Sequence, residues 1–183
     1  MASALDGITV LDLTTGAAGA LTTMFLGDHG ARVIRVVDTT PAAPRREGYL
    51  VWDRGKECVR LDFAQLGTAT GAQPYEQLIR SADVLVEDFA PSASEQALVR
   101  FERLAALNPR LVHGSITAYG KHGPWKDEPP IDDLILARLG ILASQPGFRP
   151  PPVHVVHPLP TVGACLFAAQ GITAALLARE KTG

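Results

Sequence analysis

Residues 7–38 constrain the fold most tightly, because they carry the parts of one βαβ unit in order. Gly7-Ile8-Thr9-Val10-Leu11-Asp12-Leu13 is a short β-branched run, and 14–19 is a small-residue turn holding Gly16 and Gly19. Residues 20–29 have the length of a helix closed by Gly30, and 31–38 form a second β-branched run ending at Asp38. Parallel strands need a crossover of this size, and the turn and stop residues sit where a helix requires them. The rhythm continues, with strands expected at 58–62, 83–87 and 111–116 and a further short one at 153–156. Helices are expected at 74–81, 94–107, 132–142 and 162–181, with Ser92 or Ser94 capping the second of these and Asp132 the third. Such alternation predicts an α/β fold, a mostly parallel sheet with helices on both faces. Ligands of these sheets sit at the strands' carboxyl ends near a switch point, which selects 14–19, Asp38, 88–91 and 118–124 as the candidate rim.

With 183 residues, 46% apolar and 20% charged, residues 1–183 suit a single globular domain. A net charge of −2 gives no electrostatic reason to expect nucleic acid or an anionic membrane as partner. Cys58 and Cys165 are far apart and both fall in apolar runs, which reads as two buried free thiols in a reducing, cytoplasmic setting. The first six residues lack the basic and apolar parts of a signal peptide. The apolar stretch 162–178 is interrupted by Gln170 and falls short of about 20 apolar residues, so a buried helix is expected there and no membrane span.

The motifs that carry chemistry are sparse. Gly16 and Gly19 imitate a dinucleotide turn and Asp38 ends the next strand where a ribose-binding acid belongs, yet the pattern lacks the third glycine. Close helix–strand packing explains the same glycines, and a helix N-terminus there still attracts an oxyanion. His154 and His157 lack a ligand-spaced acid or cysteine, so no metal is expected. Asp132 and Asp133 are adjacent on a helix and point about 100° apart, too far to share one site. No P-loop, nucleophile elbow or Cys/His arrangement is present.

Taken together, seven segments resemble the class III CoA-transferase family, which includes formyl-CoA transferase, carnitine CoA-transferase and alpha-methylacyl-CoA racemase. They are Leu5-Asp6-Gly7 with the strand after it, Leu26-Gly27-Asp28-His29-Gly30, Arg54-Gly55-Lys56, Val84-Leu85-Val86-Glu87-Asp88-Phe89, Leu107-Asn108-Pro109-Arg110, Tyr119-Gly120-Lys121-His122-Gly123-Pro124 and Leu176-Leu177-Ala178-Arg179-Glu180-Lys181-Thr182-Gly183. The resemblance is colinear over nearly the whole chain. It implies a Rossmann-like large domain that binds CoA or acyl-CoA, in an interlocked homo- or hetero-oligomer with another CoA-transferase-type chain. Family members are about twice as long and carry a second domain, so the chain resembles an N-terminal half.

In the family's transferases an aspartate attacks the thioester, which divides one difficult acyl exchange into easier steps. The resemblance sets that aspartate at Thr161 or Pro160, neither of which is a carboxylate. Other functional positions also differ, with Ala17 for a glutamine, Asp38 and Ala90 for arginines, and Ile131 for a tyrosine or histidine. Thr161 as a substitute nucleophile lacks a base at any recognisable spacing. The expectation is therefore no catalytic residue on this chain and a ligand surrounded by Gly16, Ala17, Ala18, Arg54, Lys56, Asp88, Phe89, Tyr119 and Lys121. Loop amides would meet the thioester or carboxylate end and Arg54 and Lys56 the phosphates, while Phe89 and Tyr119 would pack against the ligand. An active transferase or racemase fragment, a non-catalytic assembly module and an NAD-type domain remain alternatives.

Overall fold

The computed structural model describes residues 3–39, 50–66, 71–91, 97–146, 148 and 150–182. Among the described residues five parallel strands form one sheet: β1 (Thr9–Asp12), β2 (Arg32–Asp38), β3 (Glu57–Leu61), β4 (Val84–Glu87) and β5 (Val112–Ser115). Their spatial order is β3-β2-β1-β4-β5, with Val10 opposite Val33 on one side and Val84 on the other. Consecutive apolar residues in β1 and β4 are buried on both faces, which is what a doubly covered parallel sheet demands.

One face is covered by α1 (Ala17–Asp28) and α6 (Leu159–Thr182), whose Leu26, Ile172 and Leu176 pack against Val10, Val33, Val84 and Val86. The other face buries Leu11, Ile34, Val36 and Leu85 beneath α2 (Ala72–Ser81) and α3 (Phe101–Leu107), with Tyr75, Ile79 and Leu104 at the contact. Two polar side chains fasten the helices. Asn108 Nδ2 donates to the Ile79 and Ala82 carbonyls at the end of α2, and Arg179 of α6 reaches Asp83 Oδ1 and the Arg110 carbonyl before β4 and β5. Between β5 and α6 lie α4 (Asp132–Arg138) and α5 (Ile141–Ser144).

Several local expectations are corrected. Cys58 is exposed while Cys165 is buried, because β3 is the edge strand and its side chains are covered far less than those of β1 or β4. The helix expected over 132–142 breaks at Gly140, which takes φ +75°, a left-handed conformation that stops α4 and starts α5. Ile131, not Asp132, is the N-cap of α4. The segment 153–156 joins no strand; Val153 donates instead to the Leu142 carbonyl and holds the chain against α5. The helix expected from 94 begins at Phe101, after extended Arg100, and Ser92 and Ser94 lie outside the described residues.

The most extensive correction concerns α6. It starts at Leu159 and buries only Cys165, Ile172 and Leu176, leaving Phe167 75% exposed and Leu159, Leu166 and Leu177 exposed as well. Its apolar residues surround the whole circumference, so one face seats on α1 and β5 while the other is uncovered by any described residue. By length and composition alone α6 is long and apolar enough to cross a bilayer.

Candidate functional site

The strand order reverses direction between β1 and β4, so their carboxyl-end loops diverge and leave a crevice. A cavity of about 640 Å³ opens there. Its floor is Thr15 to Ala18 from the first loop and Asp88 to Pro91 after β4; its walls come from 116–119, 126–130, α4 and the start of α6.

Asp12, at the end of β1, organises the floor. Its buried carboxylate accepts from the Thr14 amide at 2.9 Å, the Thr14 hydroxyl at 2.6 Å, Thr23 Oγ1 at 2.8 Å and Lys56 Nζ at 2.9 Å. Gly19 then lies against Thr14 so closely that a Cβ would sit 2.3 Å from Thr14 Cγ2. Close approach of α1 to the loop that follows β1 is therefore a requirement met by this glycine.

Asp88 spans the crevice. Its Oδ1 accepts from the Thr15 amide at 2.6 Å and the Thr15 hydroxyl at 3.0 Å, and its Oδ2 from the Gly16 amide at 2.6 Å. The chain thus supplies its own anion to two loop amides, one of which, that of Gly16, is expected from the sequence to meet a ligand. The next two amides, of Ala17 and Ala18, border the cavity at the N-terminus of α1 and have no acceptor among the described residues. They remain able to receive a ligand oxygen.

Beneath the floor, Glu87 is fully buried and receives the Phe89 amide at 2.8 Å and Lys121 Nζ at 3.1 Å, with His113 Nε2 3.4 Å away. Burial pushes the carboxyl up, but His113, the Ser115 hydroxyl, the Phe89 amide and the Lys121 charge outweigh it and hold it at about 2. A folded-state value below the ordinary 4.5 stabilises the native chain above about pH 4.5, and this contribution is lost as pH falls toward 2. Glu87→Gln is expected to lower stability at pH 7 and to flatten the acid limb between those values, as read by chemical denaturation at successive pH.

The expected ligand residues separate into two groups. Gly16, Ala17, Ala18, Asp88, Phe89 and Tyr119 line the cavity, whereas Arg54, Lys56 and Lys121 do not. Phe89 is only 5% exposed and meets Phe63 edge-on, and Tyr119 likewise meets Trp125 edge-on, with the Arg138 guanidinium over both rings. Arg54 pairs with Asp28 beside a separate depression of about 270 Å³, and Lys56 is held by Asp12, Asp53, Thr23 and the Ala20 carbonyl. Asp38 accepts from the Phe63 amide at 3.1 Å, away from the cavity.

One pair in the wall has no signal in the spacing of the sequence. Thr161 Oγ1, in the first turn of α6, donates to Asp132 Oδ1 of α4 at 2.9 Å, and both residues line the cavity. Pro160 lines it too. Asp133 faces elsewhere, 3.0 Å from His154 Nδ1, so the two adjacent acids serve different places. Among the described residues no group of three His, Cys, Asp or Glu side chains is arranged for a metal. The arrangement offers amide donors for an oxyanion and an apolar wall that holds a carboxylate beside a hydroxyl.

Comparison with known proteins gives a consistent picture. The model of CoA-transferase family III matches residues 5–183. The acetyl-CoA:oxalate CoA-transferase of Acetobacter aceti is 33% identical over 190 residues, 97% of this chain and 48% of the relative. The probable fatty acyl-CoA transferase Rv3272 of Mycobacterium tuberculosis is 34% identical over 194 residues, 100% of this chain and 48% of its own length. The crystal structure of Rv3272 superposes with a TM-score of 0.86 at 34% identity, covering 100% of this chain and 53% of that one. A CAIB/BAIF family protein from Brucella suis gives 0.84 at 27% identity, with 100% and 51% covered. The chain spans about half the length of the curated relatives it matches.

Proposed function

The chain belongs to CoA-transferase family III, and from that premise we propose that it forms the CoA- or acyl-CoA-binding half of a CoA-transferase assembly in which a partner chain supplies the nucleophilic aspartate. The observation that carries this reading is the composition of the cavity where α6 begins. By the family resemblance the aspartate falls at Thr161 or Pro160, both of which border the cavity, and from Leu134 to Arg179 the chain contains no Asp or Glu. A hydroxyl in that place retains polarity but cannot form the acyl anhydride that a carboxylate forms. The scaffold around it is in place: the amides of Ala17 and Ala18, the Asp88 brace and an apolar wall.

In this reading the domain is the first of two, and the uncovered apolar face of α6 meets another CoA-transferase-type chain or a second domain. A contiguous apolar face of this kind drives association. Sedimentation is expected to show concentration-dependent oligomers, and a stable, monodisperse monomer at all concentrations would count against the assembly. A cytoplasmic location belongs to the same proposal.

Calorimetry with CoA, acetyl-CoA and NAD tests the ligand. Binding of the CoA species is expected; binding of NAD with neither CoA species would overturn the family-based reading. Placement of Asp38 under the Phe63 amide already gives NAD little to use at that position. Catalysis is tested by incubating the chain with acyl-CoA, trapping with hydroxylamine and locating any adduct by mass spectrometry. No adduct is expected. A covalent acyl or CoA group on Asp132 or Thr161 would show that this chain carries its own nucleophile.

A further inference from the structure

The wall opposite the loop amides is built from α4, α5 and α6, with Ile135, Leu136, Leu139, Ile141, Leu159 and Phe167 supplying its apolar surface. Within it stands one polar pair, the Thr161 hydroxyl and the Asp132 carboxylate. The hydroxyl uses its proton on Oδ1 at 2.9 Å. The other oxygen of Asp132, Oδ2, has no donor among the described residues, so the carboxylate presents an unused acceptor within an apolar surface.

Charges around the cavity do not offset it. Among the described lining residues Lys126 is the one cation, and no arginine contributes. Glu128, also in the lining, takes the nearby Arg138 guanidinium at 3.4 Å, and Asp88 is turned to the loop amides. The lining carries four carboxylates, Asp88, Asp127, Glu128 and Asp132, against the single cation Lys126, so a second carboxylate brought into this wall would meet a net negative surface, in surroundings that screen charge less than water. A hydroxyl or ammonium would instead complete the hydrogen bonding of Oδ2 on this half-buried residue, with a charge-assisted bond to the carboxylate.

We infer that the α4–α6 wall is a specificity subsite for the acyl group. It selects CoA thioesters whose acyl chain is apolar apart from a hydrogen-bond donor for Asp132, and it rejects those ending in a carboxylate. This rests on the acyl-CoA reading of the cavity. It departs from the oxalate named for the Acetobacter aceti relative, whose identity with this chain is 33%.

The test is calorimetric titration of the full chain with CoA, butyryl-CoA, 3-hydroxybutyryl-CoA, β-alanyl-CoA and succinyl-CoA. At least one donor-bearing thioester is expected to bind about fivefold more tightly than butyryl-CoA, and succinyl-CoA about tenfold more weakly, differences that correspond to one hydrogen bond and one uncompensated charge. Which of the hydroxyl and ammonium arms gains more identifies the donor. Asp132→Asn, shown by its thermal melt to be folded, is expected to bring succinyl-CoA to within about threefold of butyryl-CoA, since the repelling charge is gone. If no thioester and no CoA binds, the acyl-CoA reading itself fails. If CoA and butyryl-CoA bind but succinyl-CoA matches them, or neither donor-bearing thioester gains, or the discrimination survives in Asp132→Asn, the subsite assignment is overturned while the ligand class stands.

Discussion

Lys56→Met is expected to destabilise the chain by about 3–5 kcal/mol, the cost of removing one partner from a buried ion pair and leaving the other charge behind. The side chain is 2% exposed and the Asp12 carboxylate it meets is fully buried. Besides Asp12 at 2.9 Å, Nζ donates to Thr23 Oγ1 at 2.8 Å and the Ala20 carbonyl at 3.1 Å and lies 3.3 Å from Asp53. Methionine keeps much of the apolar stem but brings neither charge nor donor, so the substitution isolates the electrostatic contribution. Urea titration reads the loss as a lower midpoint at unchanged slope. A lysine that served mainly to hold phosphates from the surface would behave differently: its replacement would weaken CoA binding with stability within about 0.5 kcal/mol of the parent. That second outcome would restore Lys56 to the ligand and remove it from the core.

Lys56 also marks where the sequence stopped being legible. Arg54-Gly55-Lys56 reads as a basic turn, and nothing in its spacing says that the ammonium turns inward to Asp12, 44 residues earlier. The strands were legible because a doubly covered parallel sheet writes itself as β-branched runs such as 32–38 and 84–87. The rim followed from topology alone, and Asp88 joined to Thr15 and Gly16 is the place where its two loops meet. What failed depended on neighbours. Cys58 looked buried from its apolar context, but burial is a property of the strand's position in the sheet, and β3 lies at the edge. The apolar α6 looked like a core helix, but the described residues cover only one of its faces. The contact of Thr161 with Asp132 could not be read at all, because a separation of 29 residues across a break at Gly140 has no periodicity to betray it. Family resemblance drew attention to Thr161, and only the fold supplied its partner.

Gly19→Ala is the second substitution expected to have a large effect, and it decides what the glycine turn is for. An added Cβ would lie 2.3 Å from Thr14 Cγ2, 2.4 Å from Thr14 Cβ and 2.9 Å from Thr14 Oγ1. Thr14 cannot swing aside cheaply, since its hydroxyl and amide both donate to Asp12. Overpacking of a filled interior costs about 1–3 kcal/mol, and here the strain falls on the loop that carries the amides of Thr15 to Ala18. A loss of stability in that range is therefore expected together with weaker CoA binding, because the same backbone must hold Asp88 and present the Ala17 and Ala18 amides. Thr14→Ala in the Gly19→Ala background is expected to give no full rescue, since the Cβ at 2.4 Å remains; Thr14→Gly removes all three close atoms but sacrifices the hydroxyl bond to Asp12. A Gly19→Ala chain of unchanged stability that had lost CoA binding would mean that the glycine exists for the ligand's close approach. A chain destabilised but still binding CoA with parental affinity would mean the reverse, that the turn is a packing device and the oxyanion site lies elsewhere in the cavity.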